Sequence, residues 1–463
     1  YYYYDNTTGV QKWKTFGGGA EQDFKALPTS SPGFYNYLTK GGGVGNNGSS
    51  LGTGRANIGI GGPSTFSFAN STDMTGDNNI GLGSGTFQFP NGGTMSSNNN
   101  IGIGGAVYSL YNGGSMTGNG TNIGMGIGVF SLQKTYAQFS GWGNTGIGQN
   151  LFNLQNGDLT GMNNVGMGNV LYTMQSGDMA SGSNIAIGGQ IYTFSKTTGA
   201  VFTGGTNTGI GYNLFTLTDG DLTGNDNIGM GQYLYNLSSG NMAGNRNIGI
   251  GQSSYYVQNG NITTTASDNI ALGNSIYRLS NSSTSTFSGY GNIGIGQYIY
   301  TSGGDITGNG NIGIGSNGLS TGAGGLTGSN NIAMGNSSLG GSVAVSGSRN
   351  IALGTNAMYS NGHSVTGNKN IAIGERALFA NGIDVQGDNN IAIGESALFT
   401  NGSSRGNENI GIGTRGGAYH NLGNGNVFLG NGSLSTDTPQ IDNVIAIGHG
   451  MSLSSWNTAD NVI

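Results

Sequence analysis

Residues 370–379 read Asn-Ile-Ala-Ile-Gly-Glu-Arg-Ala-Leu-Phe, and residues 390–399 repeat this run with one change, Ser396 in the place of Arg376. The core of the run is Asn, a β-branched residue, Gly or Ala, a second large apolar residue and Gly. It recurs about every twenty residues along the chain. A fixed period of this length is typical of solenoid proteins, in which each repeat forms one coil of a stack.

Nineteen asparagines open these runs, and we call them anchors. From Asn57 to Asn311 they are about 21 residues apart, and from Asn311 to Asn426 about 19. A weaker twentieth repeat begins at Val444, and we expect Asn461 to open another. The anchors are Asn57, Asn79, Asn100, Asn122, Asn144, Asn164, Asn184, Asn207, Asn227, Asn247, Asn269, Asn292, Asn311, Asn331, Asn350, Asn370, Asn390, Asn409 and Asn426.

The composition excludes several classes of protein. The 463 residues include 96 Gly but only 5 Pro and no Cys, and Lys, Arg, Asp and Glu make up 7%. Collagen is excluded because glycine does not occupy every third position, and a disulfide framework is excluded because there is no cysteine. The net charge of −6 offers no basic surface for nucleic acid. Glycine and asparagine interrupt every apolar stretch, so no membrane span is predicted.

Large apolar residues alternate with glycine in the anchor run, which predicts a β-strand with one apolar face and one nearly bare face. In residues 227–231, for example, Ile228 and Met230 alternate with two glycines. The bare positions allow a second layer to approach closely. A second strand, over residues 232–237, has Leu234 on one face and Tyr235 and Leu237 toward the other, so one core cannot bury both faces.

The predicted fold is therefore all-β, a parallel β-solenoid or β-roll of about 20 coils with roughly 20 residues each. We predict a short β-hairpin module at 1–16 and a Gly/Ser-rich linker at 17–56. A β-roll with coils of about 21 residues follows at 57–311, and one with coils of about 19 residues at 312–449. Residues 450–463 begin a further segment.

The repeated asparagine is predicted to form a ladder, because in-register coils bring the same side chain to the same height on every rung. A plain turn residue is the alternative, but Ser, Asp or Gly would serve a turn equally well. The residues chosen to represent this ladder are Asn122, Ile123, Asn164, Asn227, Ile228, Asn247, Ile248, Asn311, Ile312, Asn370, Ile371, Asn390 and Ile391.

The runs at 370–379 and 390–399 resemble the head repeats of trimeric autotransporter adhesins, and they are equally similar to repeats of phage tail fibres. The resemblance covers about residues 57–448 and is strongest at 331–413. It implies a left-handed parallel β-roll, with three chains packed side by side about a common axis. It also implies an extracellular location, on a bacterial surface or on a virion tail fibre.

Two further copies of the chain are thus the first expected partners, and the two-faced second strand also favours a neighbouring chain over a single thick monomeric coil. A surface glycan or a protein receptor is the second expected partner. Aromatic residues that interrupt the regular turns are the candidates for contact with sugars. They are Trp142, Tyr290, Tyr419 and Trp456.

No cofactor or metal is predicted, because His363, His420 and His449 lie far apart without a second ligand at metal-binding spacing. Glu375 and Glu395 would stand one rung apart, at a separation that suits a retaining glycosidase. Each follows an anchor run at a site predicted to be solvated, so no enzyme is expected.

The function favoured by the sequence is that of a structural and adhesive part of an extracellular trimeric fibre. A polysaccharide-degrading solenoid of the tailspike type and an ice-binding solenoid are the alternatives. The latter would need Thr at one place on nearly every coil, yet Ala180 and Ala243 interrupt the row of Thr160, Thr223 and Thr307.

Overall fold

The protein is described by a computed structural model. The residues it describes are 2–5, 10–13, 22–28, 35–39, 58–60, 76–83, 96, 98–105, 110–111, 120–127, 132–133, 142–149, 162–169, 182–189, 205–212, 224–232, 244–253, 261–262, 266–279, 286–322, 324–401, 406–418, 422–433 and 440–451. Every regular element among them is a β-strand, which confirms the all-β class.

The chain divides into two compact units, residues 1–227 and 228–463. The strands described in unit 1 are β1 (Tyr2–Asp5), β2 (Val10–Trp13), β3 (Gln22–Pro28), β4 (Tyr35–Thr39), β5 (Ile58–Ile60), β6 (Ile80–Leu82), β7 (Ile101–Gly105), β8 (Leu110–Tyr111), β9 (Ile123–Ile127), β10 (Leu132–Gln133), β11 (Thr145–Gln149), β12 (Val165–Asn169), β13 (Ile185–Gly189) and β14 (Thr208–Tyr212).

Unit 2 contains shorter return strands between its anchor strands. Its described strands are β15 (Ile228–Gln232), β16 (Ile248–Gln252), β17 (Asn261–Ile262), β18 (Ile270–Asn274), β19 (Thr286–Phe287), β20 (Ile293–Gln297), β21 (Ile312–Ser316), β22 (Gly325–Leu326), β23 (Ile332–Asn336), β24 (Ala344–Val345), β25 (Ile351–Leu353), β26 (Ser360–Asn361), β27 (Ile371–Ile373), β28 (Ala380–Asn381), β29 (Ile391–Ile393), β30 (Thr400–Asn401), β31 (Ile410–Ile412), β32 (Val427–Leu429) and β33 (Ile445–Ile447).

The first four strands of unit 1 are antiparallel. β1 pairs with β2, β2 with β3, and β3 with β4, after which β4 pairs in parallel with β5, the first anchor strand. Strands β3 and β4 lie within the range for which the sequence predicts a linker. They show that glycine and serine content alone does not describe residues 17–56.

From β5 onward the anchor strands stack in parallel and in register within each unit. Ile371 pairs with Ile391, Ala372 with Ala392, and the same correspondence holds from strand to strand. This confirms the parallel β-solenoid with turns of about 20 residues. Unit 2 has twelve described anchor strands and so about 12 turns, and unit 1 has eight described anchor strands. The about 12 turns of unit 2 are fewer than the about 20 coils that the sequence predicts for the whole chain.

The bare face of each anchor strand points into the coil. The central Gly or Ala of the strand is buried, as at Ala372 and Ala392, whereas the Ile residues on either side lie on the outside; in β32 the buried central residue is Phe428. A Cβ at Gly294 would lie 2.5 Å from Cγ2 of Ile276 and 3.1 Å from Cε2 of Tyr300. The second layer that approaches the bare face thus consists of buried side chains from the corners that follow the anchor strands.

In unit 2, the described corners from Ser275 to Gly417 each contain two residues in the left-handed conformation at alternate positions. In the coil that begins at Asn370 these are Arg376 (φ 55°) and Leu378 (φ 54°). A left-handed backbone is unfavourable for Leu, by about 1–2 kcal/mol. The backbone N–H of Leu378 donates to the carbonyl of Ala397 in the next coil at 2.9 Å, and the Leu378 side chain is fully buried. Stacking and burial together hold this conformation.

The return strands, which follow the corner along the chain, complete the core of each coil. Ser360, Ala380 and Thr400 of β26, β28 and β30 are buried in register, and Val365 bridges to Val385 further along.

Two stacked tyrosines fill the interior at an earlier level of unit 2. The rings of Tyr277 and Tyr300 lie 4.6 Å apart and parallel. The Tyr300 hydroxyl donates to the carbonyls of Ile293 (2.8 Å) or Asn311 (2.6 Å). Burial raises the pKa of Tyr300 well above its usual range.

Candidate interaction surfaces

The predicted asparagines form a buried hydrogen-bonded ladder. Oδ1 of Asn370 accepts from the backbone N–H of Asn390 at 2.8 Å and from its Nδ2 at 3.1 Å. Nδ2 of Asn390 also donates to the carbonyl of Gly406 at 3.0 Å. Each amide therefore satisfies a backbone group and links two coils. The described members in unit 1 run from Asn79 to Asn227 and those in unit 2 from Asn247 to Asn426, all of them buried.

The predicted isoleucines join this ladder through their backbones only. The N–H of Ile371 donates to the carbonyl of Asn390 at 2.8 Å, and Ile123, Ile228, Ile248, Ile312 and Ile391 bond in the same way to the next anchor. Their side chains point away from the asparagines.

We call the exposed side of the anchor strands the outer face. It carries two rows of large apolar side chains, one from the first and one from the third residue of the strands, and only Thr145 and Thr208 interrupt the first row among the described anchor strands. Exposed fractions of 37% at Ile373, 37% at Ile393 and 42% at Met334 are representative of the third-residue row. Because neighbouring strands are about 4.8 Å apart, each row is nearly continuous along its unit.

The trailing flank borders one side of the outer face and consists of the two residues after the glycine of each anchor run. In all twenty repeats, including the one at Val444, these positions hold only four charged residues, Glu375, Arg376, Glu395 and Arg415. All four side chains are exposed. The guanidinium of Arg376 lies 5.9 Å from the centre of the Phe379 ring.

The leading flank borders the other side of the outer face and consists of the residue before each anchor. These residues adopt the left-handed conformation at Lys369 (φ 55°) and Glu408 (φ 60°). Arg246 and Asp268 of this flank, one coil apart, form a two-pronged ion pair at 2.6 and 2.8 Å. Hydrogen bonding to Arg246 lowers the pKa of Asp268 below its usual value.

Sequence reasoning did not identify a row of stacked aromatic rings on the outside of the return strands. The centres of the Phe379 and Phe399 rings are 5.3 Å apart with planes 3° from parallel, and Tyr359 continues the stack at 5.9 Å from Phe379. Beside them, Asn361, Asn381 and Asn401 form a second, exposed amide ladder with 3.0 Å bonds. The sequence pattern that could have predicted this row is an aromatic residue two positions before Asn-Gly, which recurs at a period of 20 residues.

The two candidate sugar-contacting aromatics with described positions lie in different units. Trp142 in unit 1 is 44% exposed and Tyr290 in unit 2 is 55% exposed. Each stands two residues before an anchor, with its carbonyl accepting a bond from the next coil. Tyr419 and Trp456 lie outside the described residues.

The structure places Glu375 and Glu395 on neighbouring coils, both exposed on a corner. Among the residues with described positions, no three His, Asp or Glu side chains come together as a metal site. The same residues include no helix long and apolar enough to cross a membrane.

Comparison of the chain with protein-family models, with curated proteins and with solved structures gave no match.

Proposed function

We propose that this chain is a structural and adhesive part of an extracellular trimeric fibre, in which the outer face of each copy is covered by two further copies. The observation that carries the proposal is the pair of apolar rows on the outer face, which has an apolar residue at every described anchor strand of unit 2. Resemblance of residues 57–448 to adhesin and tail-fibre repeats supports it. The proposal includes no catalytic role.

The size of the outer face supports coverage by a partner. In unit 2, twelve strands about 4.8 Å apart with a face about 10 Å wide amount to roughly 600 Å². This is at the upper end of apolar patches on soluble monomers, and it approaches the roughly 800 Å² that each partner buries in a standard interface.

The regularity of the outer face favours a second copy as the occupant. Another copy of this chain carries the same two apolar rows at the same spacing, so both surfaces match along their whole length. A cyclic arrangement of identical chains then buries the face of every copy.

The test is the mass in solution. The chain has a mass of 46.9 kDa, so a trimer is expected near three times that value. A variant with Ile373→Asp and Ile393→Asp places two carboxylates in the middle of the outer face and is expected to sediment at the mass of one chain. The matched control, Asn361→Asp with Gln386→Asp, adds the same charge at exposed positions away from that face and should remain trimeric. A wild-type chain at 46.9 kDa across micromolar concentrations would reject the proposal.

Adhesion is proposed to involve Trp142 and Tyr290, whose exposed rings are suited to stacking on sugars. Binding of the wild-type chain to an array of surface glycans should be lost or weakened in Trp142→Ala or Tyr290→Ala. Unchanged binding by both variants would exclude these two side chains as the contacts.

A further inference from the structure

The row of stacked rings outside the return strands ends at a glycine. One backbone bond marks equivalent positions from coil to coil: the N–H of Ala380 donates to the carbonyl of Tyr359. In the same way, the N–H of Ser360 donates to the carbonyl of Gly340, so Gly340 takes the place of Tyr359 one coil earlier. We call these positions the ring row. The carbonyls that accept this bond belong to Arg278, Thr301, Ser320, Gly340, Tyr359 and Phe379, and Phe399 is the next member.

The missing side chain at Gly340 leaves a slot beside the Tyr359 ring. Phe379 covers one face of that ring, with the ring centres 5.9 Å apart and the planes 27° from parallel, so the other face is turned toward the earlier coils. A Cβ at Gly340 would lie 2.9 Å from Cδ2 and 3.0 Å from Cε2 of Tyr359, which shows that this ring leans over the glycine. The next side chain of the row is the small Ser320, two strand spacings or about 10 Å from the level of Tyr359, and this height admits one further ring.

Hydroxyl groups surround the slot. On the side of the earlier coils, Oγ of Ser320 and Oγ1 of Thr301 lie 2.6 Å apart, and both residues are half-buried. At the level of Gly340 itself, Ser337 precedes the glycine and is half-buried, and Ser342 follows it and is exposed. A serine or threonine hydroxyl can both donate and accept a hydrogen bond. The slot therefore combines one flat apolar platform with an uncharged rim of hydroxyls.

We infer that this slot binds a pyranose ring of a surface glycan, and the inference rests on the adhesive function proposed above. A pyranose has faces of C–H groups, which stack on an aromatic ring, and a rim of hydroxyls, which form hydrogen bonds. One face lies on Tyr359, and the rim meets the hydroxyls of Ser320 and Ser342. An aromatic side chain of a protein would match the platform but would leave these hydroxyls without partners from the ligand, so it is the poorer occupant.

The position of the slot agrees with the proposed fibre. The ring row lies on the return side of the coil, so the outer face can be covered by other copies while the slot stays open. A trimer then presents three copies of the slot, and several weak contacts with one glycan-coated surface together give firm attachment.

Saturation-transfer NMR on the full chain tests the slot, with methyl β-glucopyranoside as the probe because equatorial hydroxyls leave the C–H groups of both its faces free. Transfer from the wild-type protein to these C–H protons is expected at millimolar sugar. Gly340→Phe fills the slot with a ring, in the stacked arrangement that Phe379 and Phe399 adopt at 3° from parallel. This variant should weaken binding about tenfold, because Tyr359 then stacks on protein instead of on sugar.

Three variants serve as checks, and circular dichroism confirms that each is folded. Gln386→Phe adds the same ring at an exposed position outside the row and should bind as the wild type does. Tyr359→Leu removes the flat platform but keeps an apolar side chain, so it should weaken binding even if Gly340→Phe fails to fold. Its matched control is Phe399→Leu, which removes a ring that does not border the slot and should leave binding unchanged.

The same variants are measured on an array of surface glycans, so that a slot selective for another sugar is detected. Wild-type binding, to the glucoside or on the array, that persists in both Gly340→Phe and Tyr359→Leu would overturn the inference. If that binding is lost in Trp142→Ala or Tyr290→Ala, the proposed adhesion stands without the slot. Transfer to p-cresol, the analogue of a tyrosine side chain, but not to any sugar would assign the slot to a protein partner and overturn the inference. A wild-type chain that binds no sugar in either assay would remove both the slot and the proposed adhesion.

Discussion

Replacing Asn370 by Ala tests how much the buried amide ladder stabilises the solenoid. Asn370 is fully buried, and its Oδ1 is the acceptor for the backbone N–H of Asn390 at 2.8 Å, while its Nδ2 donates to the carbonyl of Gly387 at 2.8 Å. Asn370→Ala leaves both backbone groups without these partners and vacates the volume of an amide. An unsatisfied buried donor together with a small cavity costs about 2–4 kcal/mol.

The matched control is Asn381→Ala in the same coil. Asn381 belongs to the exposed amide ladder, where water can replace the 3.0 Å bonds to Asn361 and Asn401. We expect Asn381→Ala to cost less than about 1 kcal/mol.

Two measurements check this difference. Guanidinium unfolding followed by circular dichroism, at one fixed protein concentration, gives the loss of stability of each variant. Hydrogen exchange at the Asn390 amide gives the local effect, and a loss of 2 kcal/mol corresponds to about 30-fold faster exchange. Equal unfolding midpoints for the two variants, with an equally protected Asn390 amide, would refute the role assigned to the buried ladder.

Three further predictions concern single positions. Gly294→Ala should lower the thermal unfolding midpoint, because its Cβ would collide with Ile276 and with the Tyr300 ring, and such overpacking costs about 1–3 kcal/mol. Tyr300→Phe should cost about 1–2 kcal/mol at neutral pH through the lost hydroxyl bonds. Burial raises the pKa of Tyr300 above 10.0, so as the pH rises the unfolded chain loses this proton before the folded chain does. The stability of the wild-type protein is therefore retained below pH 10.0 and falls above it. Tyr300→Phe lacks this proton, so the stability of the variant should fall less than that of the wild type above pH 10.0. Arg246→Gln should raise the pKa of Asp268 toward 3.8 in an NMR titration, because the hydrogen bond from Arg246 holds the pKa of this carboxyl low. The wild-type pair gives a small stabilisation that is present above pH 3.8 and is lost on acidification, and this stabilisation should diminish in the variant. An unchanged titration of Asp268 would contradict the assigned cause.

The register of the solenoid could be predicted from the sequence because one residue type keeps one position in every repeat. A buried amide needs a partner at a fixed distance, and an in-register stack supplies the same amide above and below Asn370. The parallel pairing of Ile371 with Ile391 follows from the same requirement.

Which face of the anchor strand points inward could not be predicted from its alternation alone. A period of two residues defines two faces but does not orient them, and burial of large apolar residues is the usual expectation. The interior of this solenoid is too narrow for that arrangement. At Gly294 the corner side chains Ile276 and Tyr300 already lie within contact distance of the missing Cβ, so the isoleucines occupy the outer face instead.

The left-handed conformation of the corner residues could also not be predicted from the sequence. Positive φ is ordinarily expected at Gly, Asn or Asp, yet Arg376 and Leu378 adopt it. The equivalent residues of the next coil, Ser396 and Leu398, adopt it as well. Stacking bonds between coils decide this conformation, and they are a property of the assembled solenoid rather than of the local sequence. The two strands within residues 17–56 were missed for a related reason, since each is defined by its partner strand.

The central claim, that successive coils lie in register one above the other, is tested most directly by the distance between two labels placed one repeat apart. Because the chain has no cysteine, spin labels can be attached solely at Asn381→Cys and Asn401→Cys, on the exposed side of the return strands, with an excess of unlabelled chain to suppress contacts between copies. The account predicts labels on adjacent strands, with backbones about 5 Å apart and strong dipolar broadening of the spectrum. Labels separated by about 20 Å or more would mean that residues 381 and 401 are not neighbours, and the in-register solenoid would be wrong.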